Sequence, residues 1–143
     1  MDLFANDVLE EWYAPDFRDN REKPEAERAE VKLKPLSTSE LKQIESSGLV
    51  KISKSKDILG SYEKRTWAAK TRVLRTHIGE VRNFFQVKNG ERKAIATADE
   101  LVDFCLENEA ALIILLEDMY GALLDRTVLD EGLRKNSSSR SVL

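Results

Sequence analysis

One cysteine, Cys105, stands in the whole chain, so no intramolecular disulfide can form and a reducing compartment is the expected home. Three prolines and six glycines leave few breakers, which favours helices over a many-stranded β fold. Aromatics make up only 7% of the residues, so the core must be mainly aliphatic. The single histidine, His77, has no second His or Cys at ligand spacing; it reads as a surface or helix-face residue rather than a metal ligand or a base. No basic segment followed by an apolar stretch opens the chain, and the longest apolar run, Ala110 to Leu116, is too short to cross a bilayer. There is no Gly-rich phosphate loop, Cys/His cluster or His-Glu-x-x-His, and no Ser/His/Asp arrangement that spacing would support. These absences point away from an enzyme, a cofactor or a bound metal, and towards a soluble protein that works by binding.

Charge is plentiful, at 34% of 143 residues, and it is segregated. Residues 1–50 carry 12 acids against 7 bases, residues 51–93 carry 4 against 12, and residues 94–143 carry 10 against 4. A basic middle between acidic ends suits an anionic partner, ends that fold against the middle, or copies that associate head to tail. The self-complementary readings are favoured and nucleic acid is not.

The first thirteen residues place Phe4, Val8, Leu9 and Trp12 at helical spacing, a short amphipathic arm that Pro15 stops. Phe4 and Trp12 are candidate partner contacts on that arm. Residues 16–30 are nearly all charged and read as an exposed loop. Val31-Lys32-Leu33-Lys34-Pro35-Leu36 alternates into a short strand that Pro35 should confine to a sheet edge. Ser37 and Glu40 have the spacing of a capping box, opening a helix with Leu41 and Ile44 on its apolar face and Gly48 at its end. Residues 49–64 read as a basic, variable insert.

Trp67, Thr71, Leu74, Ile78, Val81 and Phe85 step by four and three, as in a coiled-coil seam, and predict one helix over residues 65–85. Asn89-Gly90 then predicts a tight hairpin turn between Phe85-Gln86-Val87 and Arg92-Lys93-Ala94-Ile95. Thr97 and Glu100 form a second capping box, and Leu101, Val102, Cys105 and Leu106 supply the stripe of the helix it opens. From Glu109 the final helix is apolar over much of its circumference. Such a helix is central to a core, or half of it meets another chain. Leu112, Leu116, Met119 and Leu123 are therefore further candidate partner contacts. The expected fold is mainly α: a small helical domain with a short β-hairpin or edge-strand element and a flexible C-terminal tail. Its divisions are an acidic arm and loop over 1–30, one domain over 31–133, and the tail over 134–143.

The order of these parts resembles the tail assembly chaperones of long-tailed bacteriophages. The likeness is carried by Val31 to Leu36, the capped helix at Ser37-Thr38-Ser39-Glu40-Leu41, a helix ending in Ile78-Gly79-Glu80-Val81-Arg82-Asn83-Phe84, the turn Lys88-Asn89-Gly90-Glu91, the segment Ala94 to Leu101, and the ending Leu133-Arg134-Lys135-Asn136. It covers residues 31–47 and 72–136 and is one of layout. The chain departs from it in carrying Phe84 where a tryptophan would be expected, and in its basic insert. The resemblance implies a non-enzymatic protein of the host cell cytoplasm that binds the tape measure protein and helps recruit major tail protein subunits. It also implies self-association and absence from the finished virion. Family members often gain a C-terminal extension by translational frameshift, and Arg134-Lys135-Asn136 is where such a site would fall. The alternatives are a nucleic-acid-binding or regulatory protein using residues 51–93, and a structural tail or head completion subunit.

Overall fold

The computed structural model describes the backbone of residues 11–47 and 59–141, and side chains over 11–44 and 67–128. Phe4, Gly48 and most of the basic insert lie outside the described residues. The elements in chain order are strand β1 (Glu11–Tyr13), a 3-10 turn (Asn20–Glu22), strand β2 (Glu30–Leu33), helices α1 (Thr38–Ser47) and α2 (Leu59–His77), strands β3 (Ile78–Arg82), β4 (Phe85–Lys88) and β5 (Glu91–Ala94), and helices α3 (Ala98–Glu107) and α4 (Glu109–Ser141). The fold is therefore mixed, with helices and two small antiparallel sheets, and the expectation of a mainly α domain is corrected.

The correction starts at residue 78. Helix α2 stops at His77 and the chain enters β3, so the helix expected over 65–85 covers only the first part of its seam. A bulge explains the false periodicity. Ile78 pairs with Leu33 and Val81 with Val31, so three residues on β3 span two on β2, the register shifting between Lys32 and Leu33. A bulge places Ile78 and Val81 on one sheet face at a spacing of three, which in sequence is indistinguishable from a helical step.

Strand β2 is the middle of the three-stranded sheet, between β1 and β3, rather than an edge. Pro35 lies two residues beyond its last residue, Leu33, where the missing N–H costs no ladder bond. Trp12 pairs with Lys32 in β1, so it is a sheet residue and not part of a helical arm. Residues 11–30 thus belong to the domain. The charged loop is tied down by one buried side chain: Asn20 Nδ2 donates to Pro15 O (3.0 Å) and Ala29 O (2.9 Å), and its Oδ1 accepts from Ala29 N (2.8 Å).

Both predicted helix caps form, the first as a full capping box. Ser37 Oγ accepts from Glu40 N and Glu40 Oε1 accepts from Ser37 N, each at 3.1 Å. Thr97 Oγ1 accepts from Glu100 N at 3.2 Å, while the Glu100 carboxylate reaches past Thr97 to Ala96 N at 3.0 Å. The hairpin also forms in the expected register, Lys88 opposite Glu91, with Asn89 at φ 52° and Gly90 at φ 79°. These two left-handed residues are what a tight type I′ turn requires.

The core joins the inner face of the sheet (Val31, Leu33, Ile78) to Leu74 of α2, Leu101 and Val102 of α3, and α4. Thr127 fastens α4 to the β2–α1 connection by accepting from Leu36 N at 3.0 Å while donating to Leu123 O at 2.8 Å. Helix α4 runs on to Ser141, 33 residues and about 50 Å at 1.5 Å per residue, where a flexible tail was expected.

Candidate functional site

Leu116, Met119 and Leu123 are fully buried within the chain and Leu112 is buried beside them. They form the core of the single chain, one of the two roles the sequence reading left open: one sheet and two helices cover the stripe that looked too wide for a small domain. Trp12 lies on the outer face of the sheet, half-buried, with the Arg82 guanidinium 4.0 Å from its ring centroid. Arg82 also pairs with Glu30 at 2.7 Å.

The basic residues of the middle segment meet acids from both flanks. Arg75 reaches Asp99 (3.2 Å) and Asp103 (2.5 Å), Arg82 reaches Glu30, and Lys88 lies 3.9 Å from Glu107. The segregation of charge along the chain is thus partly spent on folding the ends against the middle. His77, expected on a surface or a helix face, is the last residue of α2 and is buried at its junction with β3. Its Nδ1 lies 2.9 Å from Lys34 O and its Nε2 lies 2.7 Å from Glu40 Oε2.

A half-open cleft of about 400 Å³ lies between the 15–29 loop, the β3–β4 corner, β5, α3 and α4. Ile95, Leu101, Phe104, Leu112 and Leu115 make its floor. Cys105 is in the wall, and burial pushes its thiol up to about 12, which leaves it a packing residue rather than a nucleophile. Phe17, Arg18, Asp19, Lys23 and Arg92 are at the sides. The cleft is within the size range of small binding pockets, about 300–1,000 Å³.

Two residues in left-handed backbone, Arg18 (φ 53°) and Asn83 (φ 60°), hold opposite walls. Asn83 suits this conformation, and its Nδ2 donates to Ala26 O (3.0 Å) and Arg28 O (2.9 Å), binding the loop to the β3–β4 corner. Arginine gains no such local bond. Its left-handed backbone costs on the order of 1 kcal/mol, which the surrounding loop must sustain.

No family model, curated protein or solved structure matches this chain. The cleft must therefore be read from its own chemistry. Among the described residues no group of three or more His, Cys, Asp or Glu is placed to hold a metal ion, and no helix is long and apolar enough to cross a membrane.

Of the described residues singled out from sequence as partner contacts, only Leu112 touches the cleft. Arg92 was a candidate contact only in the nucleic-acid alternative, and Phe17, Arg18 and Asn83 were missed. A signal existed for Phe17, a lone aromatic in a run of charged residues that solvent alone does not account for. Nothing in the sequence joins it to Arg92, 75 positions away.

Proposed function

We propose that this protein is a tail assembly chaperone of a long-tailed bacteriophage, binding the tape measure protein and helping to recruit major tail protein subunits in the host cytoplasm during tail morphogenesis. The observation that carries the binding role is the open apolar cleft, whose wall continues onto an exposed strand: Phe85 is 40% and Val87 63% exposed. Exposed apolar surface continuous with a cleft marks a site of protein contact. What supports this family reading is the layout described above: a strand leading into a capped helix, an Asn-Gly turn, a second capped helix and a long final helix. A protein that shields a partner's apolar helices needs such a surface and needs no reacting groups.

Co-expression with the tape measure protein encoded beside it tests this. The soluble fraction of the tape measure protein should rise several-fold, and the two should co-purify. Unchanged solubility would remove the reading. Mass spectrometry of purified particles separates a chaperone, lost from the virion, from a completion subunit that stays.

A further inference from the structure

Arg75, Arg82, Lys88 and Arg126 each face a carboxylate. The cleft carries cations without such partners. Arg18, Lys23 and Arg92 stand around it, and none of the three enters an ion pair among the described residues. Asp19 is the one acid in the lining, so the cleft carries a positive excess. Arg18 and Arg92 lie over the rings of Phe17 and Phe85, 4.8 and 3.7 Å from their centroids. Stacking of this kind holds a guanidinium in place through its face and leaves its N–H edge free for an incoming acceptor.

The apolar part extends beyond an enclosed pocket. Alternate residues of a strand share a face, so Phe85 and Val87 lie together, and Arg92, paired across the hairpin with Val87, lies on the same face. Apolar floor, stacked cations and exposed strand form one continuous strip. A small molecule seated in the cleft would leave the strand uncovered, whereas a polypeptide would cover both.

We infer that the cleft takes a short acidic segment of a partner protein. One bulky apolar side chain of that segment sits on the floor between Ile95 and Phe104, and its flanking carboxylates meet Arg18, Lys23 and Arg92. The inference rests on the partner-binding reading and adds the chemistry of what is bound. Charge complementarity of this kind speeds encounter and selects among partners, while the buried apolar anchor supplies most of the affinity.

The probe is a fluorescein-labelled twelve-residue peptide with Asp and Glu around a central Leu-Phe, followed by fluorescence anisotropy and by amide shifts of the labelled protein. Expected are saturable binding that weakens with added salt, shifts centred on Phe84, Ile95, Leu101 and Phe104, and no binding when the Leu-Phe is replaced by Ala-Ala. The R18E/R92E double variant should bind about tenfold or more weakly. Circular dichroism checks its fold, and R18Q/R92Q is the gentler second variant. No saturation up to about 1 mM peptide, an affinity indifferent to salt, or shifts confined to another surface would each overturn the inference.

The two readings fail separately. If the peptide binds but the tape measure protein stays insoluble on co-expression, the cleft chemistry stands and the chaperone reading falls. If R18E/R92E solubilises the tape measure protein as well as wild type does, the chaperone reading stands and the cleft is not its site.

Discussion

His77 Nε2 lies 2.7 Å from Glu40 Oε2, joining the end of α2 to the first turn of α1 across 37 residues of sequence. The same carboxylate accepts from Ser37 N through its other oxygen, so one glutamate both caps its own helix and holds a second. On the far side of the ring, Nδ1 meets Lys34 O at 2.9 Å. The imidazole is thus a clamp between the strand–helix connection and the α2–β3 junction.

Replacing His77 with Ala should remove both contacts and leave a buried void. The expected loss is about 1–3 kcal/mol, the usual cost of breaking buried hydrogen bonds on one side. Urea denaturation followed by circular dichroism measures it; a midpoint equal to wild type would show that the clamp bears no stability.

Acidity should act on the same clamp. Burial pushes the Glu40 carboxyl up, but the Ser37 N–H, His77 and the Ser37 hydroxyl together outweigh it and hold Glu40 below its ordinary value. A carboxylate depressed in the folded state contributes stability above its unfolded pKa and loses it as pH falls through the folded one. The difference in melting temperature between wild type and Glu40→Gln should therefore be largest near neutrality and shrink as pH falls through and below the ordinary carboxylate range. A constant difference over that fall in pH would contradict the assignment.

Asn20→Ala should loosen the charged loop without emptying the core, because the side chain makes three hydrogen bonds to backbone groups of Pro15 and Ala29. We expect a loss of about 2 kcal/mol and faster tryptic cleavage at Arg21 and Arg28. An unchanged digestion pattern would mean that Asn83, from the other side, is enough to hold the loop.

Leu116→Ala should cost about 2–5 kcal/mol as a fully buried leucine is cut back to a methyl group. The reading of Leu116 as core rather than contact surface predicts this loss in the isolated chain, measured by thermal melting. A stable variant that only lost partner binding would reverse it.

Much of the local structure is legible in the residues alone. Ser37 with Glu40, Thr97 with Glu100, and Asn89-Gly90 each work within four residues, so their hydrogen bonds and backbone angles follow from local chemistry. The apolar stripe of α4 likewise announces a buried helix. What covers that stripe is not local. It takes the sheet, α2 and α3 together, which bury Leu112, Leu116, Met119 and Leu123 within the chain.

The sequence by itself determined where α1, α3 and α4 begin, where the hairpin turns and which stripe is buried, because caps, turns and amphipathic spacing act over one or two turns of chain. Only the tertiary structure decided that residues 78–82 form a strand, since pairing with β2 and a bulge at Gly79 turn a helical spacing into one sheet face. It alone placed His77 against Glu40 and gathered Phe17, Arg18 and Arg92 around one cleft. Contacts between residues tens of positions apart depend on how the elements pack, and no local pattern encodes them.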